Sequence, residues 1–282
     1  MPKAAIVVSS FRISKKSLKK AIARVKNLGY EPVYDKNVCE RLLDYGGSIS
    51  KRVNELHSAF SNPEIEVVFE ARGGFGCNHL LDHIDYDLIK EASKPLVGYS
   101  DITILHNAFY QKTGNIMLHG PNLLKEFPID DYSTYYLLKA IRKEKLVYGF
   151  SEDDIHVPGK AKGTLVGGNV HLLVRTLGTK YEIDTADKIV FMEALNKKGA
   201  WLYDSLWQMK QAGKFDSVKG IILGDFKGCS KYKEYLAEFF RGFSVPVIFN
   251  QKFGHSLPNY TMPVGGMCEL DTSAGKYVIE MR

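Results

Sequence analysis

The stretch Pro95-Leu96-Val97-Gly98-Tyr99-Ser100-Asp101-Ile102-Thr103 reads as a short apolar strand, Pro95 to Tyr99, that ends at a serine and passes directly into a helix-like run, Ile102 to Tyr110. The segments upstream repeat this alternation. Ala4 to Ser9 is an apolar run of strand length. Lys16 to Leu28 carries Leu18, Ile22, Val25 and Leu28 at helical spacing, with Gly29 as a stop signal. Glu31 to Tyr34 can form the next strand, and Val53, Leu56 and Phe60 mark a helix ended by Asn62-Pro63. Glu66 to Ala71 is a further strand running into Gly73, Gly74 and Gly76. Strands interleaved with helices predict an α/β fold with a parallel sheet covered on both faces.

Between Leu123 and Gly163 the pattern loosens. Pro128-Ile129-Asp130-Asp131 and Ser151-Glu152-Asp153-Asp154 are polar, and Val157-Pro158-Gly159-Lys160 reads as a turn. We place the domain boundary there: an N-terminal α/β domain over 1–150, a linker over 151–162, and a smaller mixed α/β domain over 163–282. In the latter, Gly163 to Val166, Ile189 to Glu193, Gly220 to Gly224 and Val247 to Phe249 read as strands, with helices over Asn169 to Leu177 and Trp201 to Gln211. Cys268 to Asp271 and Lys276 to Ile279 form a terminal hairpin around Ser273-Ala274-Gly275.

A chain of 282 residues with 45% hydrophobic and 25% charged residues is neither disordered nor fibrous, and has room for one large or two modest domains. No apolar run approaches the roughly 18 residues of a membrane span, and Ala4 to Val8 is too short for a secretory signal. The four cysteines, Cys39, Cys77, Cys229 and Cys268, have no paired spacing, so neither a zinc site nor a disulfide framework is expected. These features predict a soluble cytoplasmic protein. The formal charge of +6 is dispersed; its densest patch, Lys15-Lys16 with Lys19-Lys20, lies on the polar side of a predicted helix. No nucleic-acid or membrane partner is expected.

A serine at a strand-to-helix turn has its hydroxyl at the carboxyl edge of the sheet, beside free backbone N–H groups that can stabilise an oxyanion. The same residues also suit a plain helix cap, at Ser100 or Asp101. Ile102 stands where G-x-S-x-G requires its second glycine, which disfavours an ordinary α/β-hydrolase. Arg72-Gly73-Gly74-Phe75-Gly76 also follows a strand. Its spacing fits no dinucleotide or phosphate motif, leaving an oxyanion wall facing Ser100 or a tight turn with Arg72 in an ion pair. A serine also needs a base. His57 and His106 fall within helical patterns and read as surface or packing residues. His79 and His83 share a helical face without an accompanying carboxylate, so no metal site is expected. His119 follows a short strand and could line a pocket. His255 sits in a loop after a strand, beside Gly254, and Glu193 ends an apolar strand. Spacing alone does not pair these residues.

Taken together, Arg72-Gly73-Gly74-Phe75-Gly76, Gly98-Tyr99-Ser100-Asp101-Ile102-Thr103, His119-Gly120-Pro121, Gly167-Gly168-Asn169, Glu193, Gly220 to Phe226 and Phe253-Gly254-His255 resemble the LD-carboxypeptidases. These serine peptidases include murein tetrapeptide carboxypeptidases and microcin C immunity hydrolases. The resemblance implies a Rossmann-like N-terminal domain joined to a smaller domain containing a β-barrel, and commonly a dimer. It implies a Ser-His-Glu triad at Ser100, His255 and Glu193, with an oxyanion hole from the N–H groups of Gly74 and Asp101. Arg72, Gly73 and His119 are candidate substrate-binding residues. No cofactor or metal is implied, and the substrate is a small peptide. Two positions depart from the family: Ala194 follows the glutamate where an acidic residue is usual, and Asp204 aligns with an arginine.

Overall fold

The computed structural model describes residues 1–124 and 130–281, so Pro128 and Ile129 of the polar stretch above lie outside the described residues. In the front half, β1 (Lys3–Val7), α1 (Lys15–Asn27), β2 (Glu31–Val33), α2 (Ile49–Ser61), β3 (Ile65–Glu70), α3 (Tyr86–Ala92), β4 (Leu96–Gly98), α4 (Thr103–Thr113) and β5 (Met117–His119) alternate. Their strands pair in parallel in the order β5-β4-β3-β1-β2. The helices start where local chemistry satisfies their first N–H groups. Ser14 Oγ accepts from Ser17 N at the head of α1, and Ser48 Oγ accepts from Lys51 N at the head of α2. β1 and β3 are almost entirely buried, as strands covered on both faces must be.

The chain continues through α5 (Asp131–Ile141), β6 (Leu146–Gly149), β7 (Ile155–Val157), β8 (Lys160–Asn169), α6 (Val170–Arg175), β9 (Ile189–Leu195), α7 (Gly199–Gln211), β10 (Gly220–Lys227), α8 (Tyr232–Phe239), β11 (Val247–Ile248), β12 (Met262–Val264), β13 (Met267–Asp271) and β14 (Lys276–Glu280). Eight of these strands form a second sheet, ordered β6-β14-β13-β8-β9-β10-β11-β7 and curled into a half-barrel. It is parallel from β8 to β11 and antiparallel on both flanks. The fold is thus α/β with two mixed sheets.

Sheet membership departs from the expected boundaries. Residues 151–162 are not a bare linker, because they hold β7 and the first residues of β8. β7 is an edge strand, half-buried throughout, which explains its weak apolar signal. β6, within the stretch assigned to the first domain, pairs with β14. β12 returns to the first sheet and runs antiparallel to β5. Its Pro263 is tolerated because β12 is an edge. Among the described residues no helix is long and apolar enough to cross a membrane.

Candidate active site

β3 and β4 are parallel neighbours, so the loops that follow them emerge side by side at the carboxyl edge of the sheet. The glycine loop and the Ser100 turn therefore touch. A Cβ on Gly73 would lie 2.9 Å from Ser100 Cβ and 3.3 Å from its Oγ. Ser100 has φ +67°, a left-handed conformation that costs a non-glycine residue on the order of 1 to 3 kcal/mol and is typically retained at functional turns. Neither Ser100 nor Asp101 acts as a cap, since no side-chain bond closes the 3₁₀ turn Ser100–Ile102 or the start of α4. Instead Asp101 is fully buried and its Oδ2 accepts from Cys77 N at 2.9 Å, across to the end of the glycine loop. Burial pushes the Asp101 carboxyl above its ordinary range.

From the second sheet, Glu193 on β9 is fully buried, and its Oε2 lies 2.6 Å from His255 Nδ1. Oε1 accepts from Asn169 Nδ2 at 2.9 Å, and Asn169 Oδ1 in turn accepts from His171 N at 3.1 Å. Burial by itself would raise the Glu193 carboxyl. The His255 charge and hydrogen bond, with help from Asn169, outweigh it and hold the group below the ordinary carboxylate range. When the imidazole is neutral, an ionised Glu193 keeps the ring proton on Nδ1 and leaves Nε2 as the acceptor. Gly254 is required here. It has φ +92°, and a Cβ there would fall 2.6 Å from Glu193 Cγ. The imidazole also meets Tyr99 edge to face, with ring centroids 4.8 Å apart.

A seam of close contacts joins the two sheets behind these residues. Asn169 N donates to Thr103 Oγ1 at 3.1 Å, and Asn107 Nδ2 donates to Gly167 O at 2.9 Å. Ser100, His255, Arg72, Gly73, Gly74 and Lys227 consequently line one cleft of about 450 Å³. No hydrogen bond joins Ser100 Oγ to the imidazole among the described residues. Arg72 lies at the cleft, with its guanidinium 4.5 Å over the Phe11 ring and Nε donating to Gly73 O at 3.2 Å.

His119 does not line the cleft. It is fully buried between Tyr99 and Phe191, and burial pushes its pKa down to about 3, so it stays neutral packing rather than a substrate contact. His79 and His83 end two successive 3₁₀ turns, Cys77–His79 and Leu81–His83, instead of sharing one helix. His57 and His106 serve packing roles: His57 Nε2 accepts from Asp85 N, and His106 is fully buried. Asp204 is exposed on α7 and absent from the cleft wall, whereas Ala194 is buried beside Glu193. Residue type singles out none of Asn169, Asn196 and Lys227, although Asn169 belongs to the Gly167-Gly168-Asn169 run that carries the resemblance. Their shared signal is position, because each sits at or just beyond the end of β8, β9 or β10.

A family model described as the LD-carboxypeptidase N-terminal domain matches residues 4–120, and the LD-carboxypeptidase C-terminal domain matches residues 162–270. A probable murein peptide carboxypeptidase of Bacillus subtilis (strain 168) is 33% identical over 280 residues, covering 94% of this chain and 87% of that protein. The chain belongs to the LD-carboxypeptidase family. Another relative is the microcin C7 self-immunity protein MccF of Escherichia coli, 30% identical over 264 residues, 80% of this chain and 76% of MccF. Among solved structures, a muramoyltetrapeptide carboxypeptidase from Oxalobacter formigenes superposes with a TM-score of 0.90 at 25% identity, covering 98% of this chain and 97% of that one. Membership of the LD-carboxypeptidases makes the protein a hydrolase.

Proposed function

We propose that this hydrolase is a serine carboxypeptidase that cleaves the L,D-peptide bond before a terminal D-amino acid, as in the D-alanine of murein tetrapeptides released during cell-wall recycling. The observation that carries the reading is the 2.6 Å contact from buried Glu193 to His255, whose ring lines one cleft with Ser100 and the glycine loop. Ser100 Oγ attacks the scissile carbonyl as His255 Nε2 takes its proton, and Glu193 holds the ring and stabilises the imidazolium. The N–H groups of Gly74 and Asp101 receive the oxyanion. The same proton then passes to the departing amine, and water hydrolyses the acyl-enzyme. Arg72 and Lys227 give the substrate's terminal carboxylate a cationic wall. The reaction draws on no cofactor. We extend the proposal to a cytoplasmic homodimer, for which sedimentation at working concentration is the check.

The similarity to MccF raises a second substrate class, the acyl-sulfamoyl nucleosides. That reading needs an aromatic platform for a base. Trp201 instead meets the His171 ring at a tilt and lies under Lys197 Nζ, and Trp207 packs with Tyr203 and Phe239. A turnover assay comparing an L,D-tetrapeptide with an aminoacyl-sulfamoyl adenosine tests the choice. Faster release of D-alanine supports the carboxypeptidase reading; turnover of the nucleoside alone overturns it.

A further inference from the structure

Residues 72–77 are held at four points, and one side chain reaches beyond them to a neighbouring loop. Ser10 Oγ donates to Arg72 O at 3.0 Å, and Phe11 Cβ stands where a Cβ on Gly74 would approach to 2.5 Å. Asp101 Oδ2 takes the N–H of Cys77. At the fourth point is Arg52, on the first turn of α2 and only 1% exposed. Its Nη1 donates to Gly76 O at 3.1 Å and to Ser9 O at 2.9 Å, while Nε reaches Ser48 O at 3.4 Å. The guanidinium lies 5.2 Å over the Tyr45 ring. Asp101, fully buried, acts on it electrostatically.

A buried cation is retained only where its hydrogen bonds are satisfied, and these bonds are spent on backbone carbonyls of two loops rather than on a carboxylate partner. One of those loops carries Gly74. The other carries Phe11, which sets the height of Gly74. We infer that Arg52 is a positioning residue, whose buried guanidinium ties the loop after β1 to the glycine loop and so fixes the Gly74 N–H where the oxyanion forms. The inference rests on the serine-hydrolase reading proposed above. Lysine keeps the charge but has neither the Nε donor nor the planar face for Tyr45, so Arg52→Lys separates charge from geometry.

The test uses a fluorophosphonate that reacts with an activated serine, followed by peptide mapping, alongside steady-state turnover of the tetrapeptide. The parent should label fully at Ser100. Arg52→Lys should also label to completion, about tenfold or more slowly, with kcat lowered in step and KM within about twofold, because a small displacement of an oxyanion donor acts on the transition state. Gly76→Ala provides a second route that leaves every charge in place. Its Cβ would fall 3.0 Å from Arg52 Nη1 and 2.7 Å from Tyr45 Cδ1, at a φ of +113°. It should slow labelling in the same way, and it decides the matter where Arg52→Lys does not fold. Labelling and kcat at parental values in the folded variant, even with a lowered melting temperature, would show a purely structural role and overturn the inference. A parent labelled at Ser100 keeps the serine reading intact in that case. No label on Ser100 in the parent would overturn both.

Discussion

Glu193→Gln is expected to cost far more than the loss of one charge, because of how its neighbours are wired. His171 N–H can only donate, so the Asn169 atom facing it must be Oδ1, which turns Asn169 Nδ2 towards Glu193 Oε1. A glutamine at 193 must then offer its carbonyl oxygen to Asn169, leaving its NH₂ against His255 Nδ1. That donor forces the proton of a neutral imidazole onto Nε2, the tautomer unable to accept from Ser100. Glu193 is fully buried and Asn169 nearly so, so water does not reach the amide to relieve the conflict. We expect kcat to fall by about a thousandfold or more, roughly 4 kcal/mol of barrier. The assay is D-alanine release at saturating tetrapeptide, with circular dichroism to confirm folding. Adding Asn169→Asp should recover at least about tenfold, since an acceptor at 169 lets the glutamine reverse and present its oxygen to Nδ1–H. A Glu193→Gln enzyme within tenfold of the parent, or a double variant no better than the single, would refute this wiring.

Other consequences follow from the same contacts. Gly254→Ala should lower kcat by about tenfold or more with the fold retained, because its Cβ would stand 2.6 Å from Glu193 Cγ and displace His255; parental kcat would contradict the close approach. Burial pushes the Glu70 carboxyl up to about 8 from an ordinary 4.5, only partly offset by its bonds to Ser9. The native state therefore holds a proton that the unfolded chain releases, and stability falls as pH rises through that window. Glu70→Gln should flatten the urea-derived stability profile between pH 5 and 8 by up to about 1.4 kcal/mol per pH unit, and an unchanged slope would count against it. The proposed chemistry uses side chains and backbone alone, so dialysis against a chelator should leave turnover unchanged; loss restored by a divalent cation would argue for a different mechanism.

Much of the first sheet is legible in the sequence because its strands are buried on both faces and punctuated by helix signals. The reading of Glu66 to Ala71 falls within a residue of β3, and Lys16 to Leu28 within a residue of α1. The terminal hairpin was equally plain, with Gly275 at φ +59° closing the turn. β12 was not legible. Three residues containing Pro263 carry no periodicity, and the partner β5 lies more than 140 positions away. β7 and the start of β8 read as a linker because the edge strand β7 is only half-buried and the first three residues of β8 are exposed or half-buried, so neither shows a pattern. At the site, residue types pointed to Ser100, Glu193 and His255 as element-edge groups, but only the resemblance joined them. Asn169 was missed as an orienting group because an asparagine ending a Gly-Gly run looks like any helix cap. It does cap α6, and its second function depends on a strand packed alongside. His119 misled for the opposite reason: an apolar-flanked histidine after a strand looks the same in sequence whether it faces a cleft or the core.

The most direct measurement compares D-alanine release from an L,D-tetrapeptide by the parent and by Ser100→Ala, with both shown to be folded. The account predicts steady release by the parent and none above background by the variant, because Ser100 supplies the hydroxyl that stands against Gly73. Equal rates from the two proteins would contradict it.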